Sequence, residues 1–419
     1  MSDRTATPHG FGRFWTASTV TGLGAYATTV AIGVLVEVEL GGTALDLGWV
    51  NAARWAPYLL VGLVAGVLAD RVRRRPLLAG ADLARAAVLG VVPLLAALGV
   101  LTLPVLTALV GAFGLASVVG DAAQQSFLPR LVGTAGLGRA NTWLQQGDAA
   151  AQGVGPLVGG ALAAAGAPLA LLVGAVGHLV SAGLVLATPL HDPRPARAPR
   201  RAMLAELREG VRWVYRHPTL RPLALGTHVW FVANAAIGTV TVTYLLTVLD
   251  VGAFGLGTAT AAAGAGTLLG TSAADRVGRR TGGPGTVVGG RLVEAAGVLL
   301  LVVLPQLPGP ALLGVVVAQL LFGFGMGVEG PFEMSHRQAV TPDRLQGRTN
   351  ATMRSLNRAA VIVGAPAGGA LALATSPRVA LVAAAAVIAV SSLALARSGF
   401  RHADELPAAR PGKGLHQAG

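Results

Sequence analysis

The 419-residue sequence contains no cysteine, so neither a disulfide nor a thiolate metal site can be built from it. It is also poor in charge: Asp, Glu, Lys and Arg together make up 12% of the residues, whereas hydrophobic residues make up 53%. The mean hydropathy is +0.63, and a soluble globule of this length needs far more polar surface. The composition therefore indicates a membrane protein that crosses the bilayer several times.

The apolar residues form long runs separated by short polar loops. Residues 1–13 are polar, and the run that follows is too long for the core of a signal peptide, so it is expected to remain as a membrane helix. About 20 residues at 1.5 Å each cross about 30 Å of hydrocarbon. On this criterion the sequence predicts an all-α polytopic membrane protein. Its twelve expected spans are 14–38, 46–69, 77–100, 104–127, 142–165, 168–190, 222–247, 254–274, 285–304, 310–332, 350–374 and 378–396.

The charges that are present are mostly positive. The chain has 32 Lys and Arg against 19 Asp and Glu, which gives a formal net charge of +13. The cations concentrate at the two ends of the chain and in alternate loops, and cytoplasmic loops are the ones that retain Lys and Arg. Both termini are therefore expected in the cytoplasm, with the protein in the cell inner membrane. This distribution also argues against nucleic acid as a partner, because it forms no basic patch on a soluble face.

The sharpest local feature is the junction at residues 66–75, where an apolar run stops against a cluster of charges. Residues 270–280 repeat the pattern at a constant offset of 205 residues. The repeated charges are Asp70, Arg71, Arg74 and Arg75 in the first copy and Asp275, Arg276, Arg279 and Arg280 in the second. The same sequence pattern therefore occurs twice in the chain, which indicates an internal duplication.

Other segments recur at nearly the same offset. Residues 138–141 match residues 347–350, and the glycine-rich segment 155–160 matches 364–369. We interpret the chain as two six-helix halves in parallel repeat. The expected domains are a cytoplasmic N-terminus at 1–13, an N-terminal half at 14–190, a cytoplasmic linker at 191–221, a C-terminal half at 222–397 and a disordered cytoplasmic tail at 398–419.

The linker has a pattern of its own. Between Met203 and His217, Leu204, Leu207, Val211 and Val214 are spaced for one face of a helix, and charged residues occupy the rest. Such a helix lies at a membrane surface. We expect it to lie on the cytoplasmic face and to join the two halves.

On these residues the chain resembles a major facilitator superfamily transporter of twelve helices. The resemblance rests on the loop at 66–75, its copy at 275–280 and the Gly-Pro-x-x-Gly-Gly element at 155–160, which is similar to the antiporter motif of drug exporters. Residues 81–86 and 209–218 are most similar to the macrolide-efflux and enterobactin-exporter branch of drug:proton antiporters. The resemblance implies two halves that rock about a cavity lined by helices 1, 4, 7 and 10, and export driven by proton entry.

The resemblance also implies roles for the loop residues. It places the Asp70 carboxylate against the positive end of helix 11 while the halves are closed on the cytoplasmic side, which makes it a latch. The expected gating residues are Gly66, Asp70, Arg71, Arg74, Asp275, Arg276 and Arg279. The alternative is that the arginines only set the topology. The antiporter-type motif consists of Gly155, Pro156, Gly159 and Gly160. The glycines have no side chains and the proline has no backbone N–H, so the helix can bend and neighbouring helices can approach it closely.

Charged residues inside the spans are the candidates for chemistry, because each costs several kcal/mol unless it is paired or hydrated. Asp82 with Arg85 and Arg291 with Glu294 lie three residues apart and are interpreted as structural ion pairs, whereas Glu37 either pairs with Arg54 or is solvated. The expected proton carriers are Asp121, Asp148, Glu329 and Glu333. The alternative is that these acids balance Arg337, Arg354 and Arg358 in static pairs.

Relatives often carry an acid in the middle of helix 1, where this chain has Tyr26 after Leu23, Gly24 and Ala25, so any proton carrier lies elsewhere. Aromatic and amide groups suit an amphipathic substrate. The expected cavity residues are Tyr26, Trp230, Asn234, Phe322 and Phe324. His178 and His228 are left without a role, and neither a metal nor a cofactor is expected.

The sequence thus predicts a secondary active transporter that exports a hydrophobic or amphipathic small molecule, with protons and the lipid bilayer as its other partners. We expect a monomer. Uptake of a metabolite is the alternative for a small, strongly polar substrate, and a membrane scaffold or sensor with a transporter fold is the alternative from another class. No nucleophile motif, metal motif or phosphate loop in the sequence suggests an enzyme.

We expect Asp70→Asn to insert into the membrane normally and to lose most transport, because a neutral amide is not attracted to a helix end as a carboxylate is. The measurement is transport in vesicles, normalised to the amount of protein in the membrane fraction. Full transport by a correctly inserted variant would show that Asp70 is not a latch.

Overall fold

A computed structural model of the chain describes residues 10–62, 65, 72–189 and 203–405, and the structural statements below concern these residues. Helices fill almost all of this part of the chain. They are α1 Phe11–Val34, α2 Ala44–Leu60, α3 Arg74–Ala97, α4 Leu103–Ala165, α5 Ala167–Leu186, α6 Met203–Arg216, α7 Leu220–Thr243, α8 Gly252–Val303, α9 Ala311–Val340, α10 Asp343–Ala374 and α11 Pro377–Ala396. Short 3₁₀ segments lie at Leu304–Gln306 and Gly399–Glu405.

The two longest helices, α4 and α8, are each broken by one glycine. Gly133 in α4 has φ 66° and Gly282 in α8 has φ 69°, in the left-handed region that glycine adopts without a steric penalty. Each helix therefore consists of two arms, 103–132 and 134–165 in α4 and 252–281 and 283–303 in α8. Among the described residues, nine stretches are long and apolar enough to cross a membrane, and the one at Gly252–Gln306 has 55 residues and contains both arms of α8. The prediction of an all-α polytopic membrane protein is confirmed, whereas the count of twelve spans stays a prediction.

The two halves of the chain share an unusual helix ending. α1 runs into a π-helical turn at Leu35–Glu39, and α7 runs into one at Tyr244–Val248. Each turn is followed by a residue with positive φ, Gly41 at 60° and Asp250 at 48°. π-helical turns are rare, so their recurrence at an offset of 209 residues supports the duplication read from the sequence.

Each half is a bundle of packed helices. In the N-terminal half α1 packs on α4 and α5, and α3 packs on α5; in the C-terminal half α8 packs on α9, and α7 packs on α10 and α11. Polar groups fix several helix ends. Thr43 and Asp46 form a capping box at the start of α2, and the Glu39 carboxylate accepts a hydrogen bond from the Ala167 backbone N–H at the start of α5 (2.6 Å).

The halves meet where α2 packs on α10 and where the second arm of α4 packs on the first arm of α8. A Cβ atom on Gly48 would lie 2.7 Å from the Ala365 carbonyl oxygen, and one on Gly160 would lie 2.7 Å from that of Ala253. Only glycine permits such contacts between backbones. We call the end of the bundle with α6 and Gly399–Glu405 the linker end and the opposite end the far end. These contacts lie toward the far end, so the halves are closed there.

The linker helix α6 packs on α10 and α7, inside the C-terminal half. The Glu209 carboxylate pairs with Arg344 (2.8 Å) and with Arg348, and a Cβ atom on Gly210 would lie 2.8 Å from the Arg348 carbonyl oxygen. Val214 is fully buried. The apolar face of this amphipathic helix is therefore used, at least in part, to dock on protein.

The first part of the expected tail is folded. Phe400 in Gly399–Glu405 is 1% exposed, and the Asp404 carboxylate accepts a hydrogen bond from the Gly283 backbone N–H (3.0 Å). The expectation of a disordered tail is therefore wrong for residues 399–405, because an aromatic anchor and a helix cap hold them. Residues 406–419 lie outside the described residues.

We expect Phe400→Ala to lower the free energy of unfolding by about 3 kcal/mol, because it empties a buried aromatic site. The measurement is unfolding of the purified chain in detergent. Phe254→Ala is the matched control, since Phe254 is 52% exposed and its removal leaves no cavity. Equal losses in the two variants would show that the tail is not part of the folded core.

Candidate functional site

Only some of the expected gating residues lie in the part of the chain that the structure describes. Gly66, Asp70 and Arg71 lie outside the described residues. Arg74 stands at the start of α3 and is 7% exposed. Asp275, Arg276 and Arg279 lie in the first arm of α8 and are exposed at the linker end. The gating role of both copies stays a prediction.

The glycine-rich motif lies where the second arm of α4 is wedged between two neighbours. A Cβ atom on Gly155 would lie 2.9 Å from the Leu23 carbonyl oxygen of α1, and one on Gly159 would lie 2.7 Å from that of Ala27. Gly160 faces the other way, toward α8 of the opposite half. Together with Pro156, these residues let one helix touch both its own half and the opposite one.

Asp82 is the centre of a buried polar cluster in the N-terminal half. Arg85 pairs with it at 2.9 Å, which is the ion pair that the sequence predicts. His178 Nδ1 lies 3.1 Å from Asp82 Oδ1, and the Ser181 hydroxyl donates to Oδ2 at 2.7 Å. No partner for His178 is evident from the sequence, because α3 and α5 are brought together only by the fold.

Asp121 lies next to this cluster and links it to the opposite half. The Tyr58 hydroxyl donates to Asp121 Oδ2 at 2.6 Å, and Arg85 Nη2 lies 3.6 Å from Oδ1. The Arg358 guanidinium of the C-terminal half stacks 3.9 Å from the centre of the Tyr58 ring. Tyr58 could not be found from the sequence, because its partners Asp121 and Arg358 lie on other helices.

Asp121 also borders a cavity between the two arms of α4. The cavity has a volume of about 530 Å³, and the Asp121 side chain is 45% exposed. Its lining is Asp121, Gln124, Gln125, Leu128, Pro129, Leu137, Asn141 and Leu144. Amide and apolar groups both line this space, so it can accommodate a molecule that has both kinds of surface.

Asp148 differs from the other candidate acids. Both of its oxygens lie 3.5 Å from the Tyr26 hydroxyl, which brings an expected cavity residue and an expected proton carrier together. The residue is exposed on the second arm of α4. Within the described chain its carboxylate has no cationic partner within 4.0 Å. Its negative charge is therefore the least compensated of the four.

Glu329 and Glu333 belong to a buried network centred on Arg291 of α8. Arg291 Nε donates to Glu329 Oε2 at 2.6 Å, and Nη2 lies 3.4 Å from Glu333 Oε2 and 3.0 Å from the Thr227 hydroxyl. Arg337 pairs with Glu333 at 3.3 Å. These acids are thus held by cations from their own helix and from a neighbouring one.

The expected ion pair between Arg291 and Glu294 is wrong. The Trp230 indole N–H donates to Glu294 Oε2 at 2.6 Å, and Arg291 turns to the acids of α9 instead. Neighbouring helices supply both partners, so spacing along one helix does not decide the pairing. For Glu37 the sequence left two alternatives open, a pair with Arg54 or a solvated carboxylate, and the structure does not contain the pair. Glu37 accepts a hydrogen bond from Thr243, and Arg54 donates to the Thr29 hydroxyl at 3.0 Å.

The expected cavity residues lie in different surroundings. Trp230 is 7% exposed and lies in the core of the C-terminal half, and Tyr26 is half-buried. Asn234, Phe322 and Phe324 are half-buried as well. His228, left unassigned by the sequence, bonds the Tyr215 hydroxyl of α6 and the Asn357 side chain of α10, each at 2.7 Å. The described residues contain no cluster of three or more metal-ligating side chains.

We expect Arg291→Met to destabilise the protein by about 3–5 kcal/mol, because Glu329 and Glu333 would be left buried near an absent cation. The measurement is the unfolding transition and the yield of the purified chain in detergent. Arg354→Met is the matched control, since Arg354 is exposed on α10. Normal stability of the Arg291 variant would exclude a static role for the network.

Comparison with known proteins agrees with this architecture. The profile of the family described as transmembrane secretion effector matches residues 7–413. The multidrug efflux pump Tap of Mycolicibacterium fortuitum is 33% identical over 223 residues, which is 50% of this chain and 53% of the pump. The match therefore spans about half the length of that relative.

Solved transporters share the fold at low sequence identity. A mutant of the nucleoside transporter NupG superposes with a TM-score of 0.75 at 12% identity, and the match covers 93% of this chain and 99% of that one. A bacterial homologue of the iron transporter ferroportin in an inward-facing state gives 0.71 at 16% identity, covering 93% and 98%. With a family profile that matches nearly its whole length, the chain belongs to the transmembrane secretion effector family of the major facilitator superfamily of transporters.

Proposed function

We propose that this transporter exports a hydrophobic or amphipathic small molecule by alternating access and that proton entry drives the export. In this proposal the protein lies in the cell inner membrane with both termini in the cytoplasm, so that the linker end faces the cytoplasm. The arginines at that end support the orientation, because cytoplasmic segments retain Lys and Arg. Examples are Arg208, Arg212 and Arg216 of α6 and Arg344 of α10.

The observation that carries the proposal is the closure of the halves at the far end, together with a cavity beside Asp121 between the two arms of α4. Glycines bring the backbones of α2 and α10, and of α4 and α8, into contact. With the linker end in the cytoplasm, this is the state that takes up substrate from inside. Release of substrate on the outside requires the far-end contacts to separate and the linker end to close. We assign the closing of the linker end to the loops that contain Asp70 and Asp275.

The substrate class follows from the lining of the cavity between the arms of α4. Gln124, Gln125 and Asn141 offer amide donors and acceptors, and Leu128 and Leu144 offer apolar contact. A few polar groups in an apolar setting suit an amphipathic organic molecule. The relative described as a multidrug efflux pump supports the direction and the substrate class over the half of the chain that it matches.

For the proton carrier we propose Asp148. Glu329 and Glu333 are fixed by Arg291 and Arg337, and Asp121 is bonded to Tyr58 with Arg85 nearby. Asp148 is exposed and has Tyr26 as its neighbour. A carboxylate without a cation, on a helix that contacts both halves, can take up and release a proton as its surroundings alternate.

The test is transport of a panel of dyes and antibiotics into everted membrane vesicles that carry the full chain. We expect accumulation inside the vesicles, and we expect it to collapse when the proton gradient is dissipated. Accumulation that ignores the gradient would exclude proton antiport. Accumulation in right-side-out vesicles instead would indicate uptake.

In the same assay, Asp148→Asn should fold, bind substrate and lose most of the gradient-driven accumulation, because an amide cannot carry a proton. Asp250→Asn is the matched control: it removes one exposed carboxylate at the far end, and asparagine tolerates the positive φ of that position. Unchanged gradient dependence in the Asp148 variant would exclude this residue as the carrier.

A further inference from the structure

A second cavity lies at the linker end, between α6 and the start of α10. It has a volume of about 360 Å³. Its lining is Glu209, Arg212, Trp213, Arg216, His217, Pro218, Arg344 and Leu345. It is separate from the cavity beside Asp121, and transport as proposed above makes no use of it.

The charge of this cavity is strongly positive. Arg212 and Arg216 are one turn apart on α6 and exposed, and within the described chain neither has an acidic partner within 4.0 Å. The Glu209 carboxylate is already shared by Arg344 and Arg348. The lining of the cavity thus holds three guanidinium groups and one carboxylate. Two of these guanidinium groups are available for an anion from outside the chain.

One residue of the lining also has an unused hydrogen-bond donor. The Trp213 indole nitrogen is buried and has no hydrogen-bond partner among the described residues. A buried N–H without an acceptor is costly, so a ligand that supplies an oxygen atom is favoured at this point. Burial lowers the pKa of the neighbouring His217 below its ordinary value, so this ring is neutral at pH 7 and adds no charge.

The position of the cavity indicates which anion reaches it. Arg216 and Pro218 come just before the apolar part of α7, and Arg344 and Leu345 lie at the start of α10. At 1.5 Å per residue, these side chains lie within about 10 Å of the expected hydrocarbon boundary, where lipid head groups are found. The Trp213 ring, Pro218 and Leu345 offer apolar contact to the beginning of an acyl chain. Basic pockets at this depth bind phosphate-bearing head groups.

We propose that this cavity binds a phosphate-bearing anion, and that in the membrane the anion is the head group of an anionic phospholipid. Arg212 and Arg216 contact the phosphate, the Trp213 indole donates to one of its oxygens, and the ring lies along the lipid chain. Arginine is suited to this role because its planar fork of N–H groups matches phosphate oxygens.

The test uses the full chain, purified and delipidated in detergent. We expect added phosphatidylglycerol to raise the midpoint of thermal unfolding, and phosphatidylcholine at the same mole fraction to leave it unchanged. Inorganic phosphate is the third arm. A full shift with phosphate alone would overturn the lipid assignment, and equal shifts with the two lipids would overturn the site for an anion.

Variants locate the effect. In the double variant Arg212→Gln, Arg216→Gln, the concentration of phosphatidylglycerol that gives half of the shift should rise about 30-fold, at about 1 kcal/mol for each lost cation. Trp213→Phe keeps an aromatic ring at this position, removes the N–H donor and should show a smaller rise. Arg208→Gln is the matched control, because it removes the same charge from an exposed position on α6 outside the cavity lining. An unchanged response in the double variant would overturn the proposal.

Discussion

The close contact of backbones between the two halves is the constraint on which the rest of the structure depends. Where Gly48 meets Ala365 and Gly160 meets Gly257, any larger side chain would push helices apart. In a bilayer, helices gain little from the hydrophobic effect when they associate with one another, so close packing of small residues decides which surfaces meet. These glycines therefore define where the halves close, and they leave the linker end free to present its polar side chains.

The charges inside the bundle divide according to whether the fold supplies a partner. Asp82 is bonded to groups from α3 and α5, and Arg291 is paired with acids from α9 and bonded to a hydroxyl from α7. Such groups hold helices in register, since breaking a buried pair costs several kcal/mol. Asp148 lacks this support. This difference in pairing is the reason that we propose Asp148, and not the paired acids, as the proton carrier.

Much of this organisation follows from sequence alone. Long apolar runs predict the helices, and the repeated charges at Asp70 and Asp275 and the match of segments 155–160 and 364–369 predict the duplication, because these patterns are local. The partners of buried charges do not follow. Glu294 is three residues from Arg291 yet bonds Trp230, and His178 finds Asp82 across two helices, since only the packing decides which faces meet. Phe400 was missed for the same reason: a single aromatic residue in a polar tail carries no periodic signal.

The attachment of α6 to the C-terminal half has a mechanical consequence. Because Glu209 and Val214 hold the helix on that half, we expect α6 to move together with it in the proposed transport cycle. If the glycine contacts at the far end serve as a fulcrum, a rotation of about 10° displaces the opposite end by about 5 Å over roughly 30 Å of hydrocarbon. The arginine-bearing surface of α6 would sweep sideways through the lipid head groups by that distance in each cycle. The free energy needed to move α6 would then depend on the lipid composition of the leaflet around it.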